Sequence, residues 1–259
     1  MPYPIRLPIG SPAPLESIHH PTHTTWELEM HHGVDNRINH EFIDEVFLKA
    51  LDLVERDWRS STSEVGAPGA LIIVGQKSQQ KFFSNGLDYE GISKGPGFFT
   101  NYFDVWIRRL IDFPMPIIAA INGHCFAAAF VLALACDYRV MTSGKAWCCL
   151  NELEVGAPLR PSVATLLNYK FPSPKIVRDA TLDARRFTPQ ELHALGVIDV
   201  LADGGTDGLA EAKAPRAKTG VYGLMRTDMM KDVFNATKLD ERRILAVDAA
   251  ALARRQLDL

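Results

Sequence analysis

The stretch at 116–141, PIIAAINGHCFAAAFVLALACDYRVM, constrains the fold more than any other part of the chain. Its apolar run at 117–121 reads as a buried strand, because a short continuous apolar run bounded by turn residues suits a strand covered on both faces. Asn122-Gly123 breaks the run, and a helix of small residues starts near Ala127-Ala128-Ala129. Asp137 and Arg139 then lead into another short apolar stretch. Small side chains at such a strand-to-helix turn admit close approach to the backbone, and the free N–H groups of a helix start favour negative charge. A small-residue helix packed in a core leaves the same pattern, so the flanking stretches have to decide.

Upstream, TTWELEM at 24–30 alternates like a strand, and a turn at 31–39 leads into a helix at about 40–56. Its Phe42, Ile43, Val46, Phe47, Ala50, Leu51 and Val54 fall at helical spacing. Serine and glycine at 60–69 make a loop before the buried strand ALIIV at 70–74. KFFSNGLDYEGIS at 81–93 runs from a strand through a turn at Asn85-Gly86, where glycine permits positive φ and close approach of a ligand. A helix at 98–111 ends before Pro114 and Pro116.

Downstream, AWCCLNELEVGAPLRPS at 146–162 places Glu152 just past an apolar run, in a turn leading to Gly156 and Pro158. Such a carboxylate is either a solvated loop residue or a base in an apolar pocket. Another helix starts at 172–180. Thr188-Pro189 supplies an N-cap and first helical position, ahead of a short helix ending at Gly196 and a strand at 197–201. From about residue 206 the chain reads as helical, closing in an Ala- and Arg-rich stretch to Leu259. No internal sequence repeat is apparent. Alternating strands and helices followed by helices alone predict an α/β core with a helical C-terminal appendage.

A chain of 259 residues with 47% hydrophobic and 23% charged residues can support a large core. Its net charge of −3, without a long basic run, argues against nucleic acid as a partner. No apolar run has the length to span a bilayer. Five prolines within the first 14 residues interrupt any signal-peptide core, so 1–23 is expected to be a poorly ordered or extended arm. Cys125, Cys136, Cys148 and Cys149 lack C-x-x-C spacing and read as buried reduced thiols of an intracellular protein. The pairs His19-His20 and His31-His32 lack the i, i+4 spacing of a helical zinc site, so they read as solvent-exposed and no metal is expected.

Read together, KFFSNGLD (81–88), AAINGHCFAAAFVLALACDYRVM (119–141), NELEVGAPL (151–159) and RRFTPQELHALGVID (185–199) resemble the crotonase (enoyl-CoA hydratase/isomerase) superfamily. The resemblance covers roughly 24–240, and NGHxxAAxxxLALxxDYxVM with a following NE looks most like the plant and fungal monofunctional Δ3,Δ2-enoyl-CoA isomerases. It implies a crotonase-like ββα spiral core at 24–205 and a helical C-terminal region at 206–259 used in trimerisation, giving a homotrimer or dimer of trimers. It also implies an oxyanion hole from the backbone N–H groups of Leu87 and Ala128, the latter in an Ala run where relatives often carry glycine. Hydratases of the superfamily use two glutamates; the corresponding positions here hold Val131 and Glu152.

The resemblance thus points to isomerisation of 3-enoyl-CoA to 2-enoyl-CoA, with Glu152 as the single base and Val131 lining the acyl pocket. Asn101, with Phe98, Phe99 and Tyr102, is expected to border that pocket. Arg37 is expected either to meet CoA phosphate or to be a plain surface arginine, and Asp137 to be a structural hydrogen-bonding residue. No cofactor is expected beyond the coenzyme A that the substrate carries. Competing readings are another crotonase-type acyl-CoA reaction (thioester hydrolysis, hydration or C–C cleavage) and a non-catalytic acyl-CoA-binding protein. Relatives of the branch suggest the peroxisome, whereas Leu257-Asp258-Leu259 is not a S-K-L type address and leaves the cytoplasm as the alternative.

Overall fold

The computed structural model describes residues 2–61, 66–92, 97–202 and 207–238. The chain begins with three antiparallel strands, β1 (Ile5–Leu7), β2 (Glu16–Thr22) and β3 (Thr25–Met30). The sheet therefore starts at Ile5, and the N-terminal segment expected as an arm up to residue 23 is paired into it. Ile5, Leu7 and Ile18 are buried there. The prolines are compatible with this edge because they fall between the strands or at the strand end, at Pro8, Pro12, Pro14 and Pro21.

A helix follows, wide-turned over Phe42–Phe47 and regular over α1 (Leu48–Ser60). All seven apolar residues read at helical spacing between Phe42 and Val54 are buried. Next come β4 (Ala70–Val74), β5 (Phe82–Ser84), α2 (Tyr89–Ile92), and a second two-part helix, Phe99–Phe103 running into α3 (Asp104–Ile111). The organising stretch forms β6 (Ile117–Ile121), β7 (His124–Phe126), α4 (Ala128–Ala135) and β8 (Tyr138–Met141). The short strand β7 between the Asn-Gly turn and the helix was not foreseen. Gly123 is required before it, since a Cβ there would lie 2.7 Å from the Gln80 carbonyl oxygen.

The remainder comprises β9 (Cys148–Cys149), α5 (Pro161–Lys170), α6 (Pro174–Thr181), α7 (Pro189–Ala194), β10 (Val200–Leu201), α8 (Asp207–Lys213), α9 (Tyr222–Met229) and α10 (Lys231–Ala236). Thr188 caps α7 through a reciprocal box with Glu191. The final strand, read at 197–201, shortens to its last two residues because Val197 and Ile198 bond back to Leu192. The Ala- and Arg-rich end of the chain lies outside the described residues.

Two sheets result. The larger has the order β1-β2-β3-β4-β6-β8-β10, parallel from β3 onward, and the smaller is the parallel set β5-β7-β9. Three times in succession the chain lays a strand in the large sheet, then one in the small sheet, then a helical segment. This is the ββα spiral of the crotonase fold. The repeat escaped the sequence because each turn shares topology and not residue types.

β4 and β6 are buried on both faces, which explains their continuous apolar runs. Leu71, Ile73, Ile117 and Ala119 join the main core, while Ala70, Ile72, Ile118 and Val140 pack under Ala210 and Ala214 near α8. Of the described C-terminal helices, α8 thus covers its own chain's sheet, while α9 packs on α3 and α10 on α5. Arg226 of α9 ties them down by donating to the carbonyls of Leu110, Ile111 and Phe113 at 2.7, 2.7 and 2.8 Å, where α3 runs out of partners.

The histidine pairs are half-buried and engaged, contrary to the exposed placement expected. His20 stacks on Trp26 and His32 on Phe42, while His19 and His31 both meet the Ser17 hydroxyl, at 2.9 and 2.8 Å. Strand pairing puts His19 opposite Glu27, so ligand-type atoms of His19, Glu27 and Glu29 fall within 4.8 Å of one another. Lys77 already binds both carboxylates, through its ammonium to Glu27 and its N–H to Glu29. The four cysteines are buried and unlinked.

Candidate active site

In the small sheet β5, β7 and β9 run parallel, so their C-terminal ends lie together. The turns leaving these strands carry Leu87, Ala128 and Glu152 respectively. The three residues line one cleft of about 100 Å3, together with Val131 and Arg37. Five of the six residues read from the sequence therefore meet there. Asn101 does not: it is exposed and stands outside the cleft lining. Phe99 and Phe103, about one helical turn apart, line the cleft, and Asn101, midway between them, falls on the opposite side of the helix. Phe98 and Tyr102 also point elsewhere, so Phe99 is the one expected aromatic retained.

The first turn is braced from behind by residues 35–37. Ser84 donates its hydroxyl to the Asn36 carbonyl at 2.6 Å, and the Asn85 N–H donates to the Asp35 carbonyl at 2.9 Å. A parallel bridge pairs Ile38 with Leu87, using the Gly86 carbonyl and the Asp88 N–H, so the Leu87 N–H is directed away from that pairing. Gly86 has φ +80°, and a Cβ there would sit 2.7 Å from the Phe126 carbonyl oxygen and 3.3 Å from the Ala128 nitrogen. Glycine at this position lets the first two turns close on each other.

In the second turn Ala128 is the first residue of α4, whose N–H has no carbonyl one turn back. The helix start adds partial positive charge. Ala127 before it holds φ 49° and ψ −124°, a conformation that suits glycine and strains any residue with a Cβ. It is fixed there by its N–H to the Cys149 carbonyl at 2.7 Å and by its own carbonyl, which accepts from Phe130 and Val131.

The third turn carries Glu152, whose carbonyl accepts from the Val155 and Ala157 N–H groups at 3.3 and 2.9 Å. Its Oε2 is buried and has no hydrogen-bond partner among the described residues. Desolvation pushes the carboxyl up from 4.5 to about 6, against a hydrogen bond from its own backbone N–H that pulls it down. Val131, 1% exposed, presents only methyl groups to the same cleft. The other nearby glutamate, Glu154, is exposed.

Arg37 stands at the exposed end, paired with Asp35 at 3.0 Å and donating to the carbonyls of Asn85 and Leu87 at 3.3 and 3.1 Å. Neither sequence reading anticipated this hold on the first turn. Asp137 is structural, as expected: its carboxylate accepts from the Ile117 N–H at 2.8 Å and pairs with Arg226. Sequence reading missed Phe103 and Arg160, both in the cleft wall. Phe103 had a signal in its i, i+4 relation to Phe99; Arg160 looked like an ordinary loop arginine.

Residues 24–238 match the sequence profile of the family described as Enoyl-CoA hydratase/isomerase. The chain belongs to this family. As an enoyl-CoA hydratase/isomerase family member it is an enzyme of the crotonase superfamily, similar to the plant isomerases of that group. It is 29% identical over 180 residues to Enoyl-CoA delta isomerase 3 of Arabidopsis thaliana, covering 67% of this chain and 73% of the relative. Identity with the same plant's Enoyl-CoA delta isomerase 2, peroxisomal, is 26% over 220 residues, covering 78% and 89%. The crystal structure of an enoyl-CoA hydratase/isomerase family protein from a Pseudomonas superposes with a TM-score of 0.72 at 24% identity, covering 95% of this chain and 98% of that one. Within this family the desolvated Glu152 carboxylate is the feature of the cleft that bears most on chemistry.

Proposed function

We propose that the protein isomerises 3-enoyl-CoA to 2-enoyl-CoA, and one observation carries the reading. Among the described residues Glu152 is the one carboxylate lining the cleft, and it is desolvated, while Val131 stands where a second acid would be needed to direct water. In the proposed cycle the Glu152 carboxylate removes a proton from C2 of the substrate. The C2–H electron pair moves into the thioester, giving a dienolate whose oxygen is held by the N–H groups of Leu87 and Ala128. Glu152, now protonated, returns that proton at C4, the double bond settles between C2 and C3, and the carboxylate is restored. Proton count and charge balance without a further cofactor; coenzyme A arrives with the substrate. Loss of a single oxyanion donor costs about 10²–10³ in rate in other enzymes, so two fixed N–H groups are a large part of the proposed catalysis.

A carboxyl near 6 is suited to a proton that must leave and return at neutral pH. Hydration needs an acceptor to hold and activate water, and the methyl groups of Val131 supply none. The test is to supply a 3-enoyl-CoA and follow conjugation by absorbance, with a 2-enoyl-CoA in parallel. Isomerisation should exceed hydration by orders of magnitude, and equal rates would refute the single-base reading.

The proposal extends to assembly and compartment. Leu224, Met225 and Met229, with Val221 just before the helix, expose one apolar side of α9, at 67%, 61%, 69% and 44%. Such a stripe supports a homotrimer or dimer of trimers in which α9 meets another copy. Two plant relatives carry "peroxisomal" in their names, which favours the peroxisome over the cytoplasm for this chain. No helix among the described residues is long and apolar enough to cross a membrane.

A further inference from the structure

Arg160 lies in the wall of the cleft beside Phe99, Phe103, Val131 and Val163. It is only 9% exposed, and its neighbours Phe103, Val131 and Val163 are 2%, 1% and 4% exposed, so this is the closed end. Arg37 and Val155, by contrast, mark the open end. The Arg160 guanidinium sits 5.6 Å from the centre of the Phe99 ring. One of its terminal nitrogens donates to Asp104 at 2.6 Å, and Ser162 donates to the other oxygen of the same carboxylate at 2.7 Å. Nε is buried and has no partner among the described residues.

A guanidinium offers five N–H donors, and among the described residues this one finds a single protein acceptor. A pocket built for a plain hydrocarbon chain gains nothing from a donor left underused in its wall, because buried donors without acceptors are costly. We infer that the acyl group this enzyme takes carries an uncharged oxygen acceptor, a keto or hydroxyl oxygen, in its distal half, and that Arg160 selects it. Charge decides against a distal carboxylate. Asp104 already neutralises Arg160, so a second carboxylate would be buried facing both the pair and the apolar walls. This inference rests on the proposed acyl-CoA site and narrows its substrate class.

The test uses the full-chain protein and saturated acyl-CoA ligands of one chain length, titrated calorimetrically. The set holds the plain hydrocarbon, a keto series with the oxygen moved one carbon at a time along the distal half, and the terminal carboxylate. At least one keto ligand should bind about tenfold or more tighter than the hydrocarbon, as a hydrogen bond to a charged group allows. Arg160→Met alone would leave Asp104 buried without its cation, so Arg160→Met with Asp104→Asn is the matched variant. In it the keto preference should collapse to within about twofold.

Absence of any keto preference in the parent protein overturns the inference, as does tightest binding of the carboxylate ligand. Retention of the preference in the double variant overturns the assignment to Arg160. Turnover of a 3-enoyl-CoA, measured alongside, reports on the isomerase reading by itself. Preference without turnover would sink that reading and keep this one; turnover without preference would do the reverse.

Discussion

Glu152→Gln separates what the carboxylate does for chemistry from what it does to stability. Burial raises its pKa from 4.5 to about 6, so the native state holds this proton more tightly than the unfolded chain. The sign follows: the native state's advantage is present in full below 4.5 and is lost as pH rises through 6. A difference of roughly 1.5 pH units corresponds to about 2 kcal/mol of destabilisation by the ionised side chain above pH 7. Glutamine is nearly isosteric and does not titrate. Relative to the parent, Glu152→Gln should therefore be close to neutral near pH 4 and about 2 kcal/mol more stable at pH 7.5. For a chain of this size that is roughly a 4–8 °C rise in Tm. Thermal melts of both proteins across this range, at matched concentration, measure it. The same substitution should remove at least about 10² of the 3-enoyl-CoA isomerase rate, while parent kcat/KM should rise with pH through an apparent pKa near 6. A stability offset that is destabilising, or that does not change with pH, would show that the carboxylate is not desolvated in the native protein.

Ala127→Gly should raise Tm by roughly 2–4 °C, because relief of about 1–3 kcal/mol of strain at φ 49° outweighs the extra chain entropy of glycine. Gly86→Ala should do the opposite, lowering Tm and cutting kcat by about 10² or more, since its Cβ would meet the Phe126 carbonyl and displace an oxyanion donor. Arg37→Ala should lower kcat by roughly 3–10-fold with KM within about twofold, because its donors hold the turn bearing Leu87; a KM effect alone would mean a CoA phosphate contact instead. Met225→Glu on the exposed side of α9 should shift light scattering from trimer or hexamer towards monomer, and an unchanged mass would remove α9 from the interface.

How much of this was legible in the chain depended on whether the signal was local. Buried strands with continuous apolar runs, β4 and β6, and the box at Thr188 declare themselves within a few residues. The Asn85-Gly86 turn and the small-residue start of α4 were visible in the same way, which is why Leu87, Ala128, Val131 and Glu152 reached one cleft. Strands β5, β7 and β9, only two or three residues long, carry almost no periodicity, and the ββα repeat they complete is a property of topology. Strands β1 and β2 were hidden by prolines that mark turns at an edge, whereas β3 was read. Asn101 failed because helical phase, and not proximity in sequence, decides which side chains enter a cleft. Arg160 could not be found from its neighbours, because its partners Asp104 and Phe99 lie more than fifty residues away.

Three breaks of local rules meet in the cleft. Ala127 adopts backbone angles that suit glycine, Glu152 buries a carboxylate oxygen without a partner, and Arg160 buries a guanidinium nitrogen without one. All three residues line the same cleft. Each destabilises the fold in isolation, and a core under selection for stability alone would have a glycine, a glutamine and an apolar residue there. The strain at Ala127 holds the Ala128 N–H at the first turn of α4. The desolvation that destabilises Glu152 is what brings its pKa towards neutrality, where a carboxylate can both take a proton and give it back. Solvating the cleft would recover stability and lose the base by the same physical step, so the two effects should be inseparable in any variant that opens it to water.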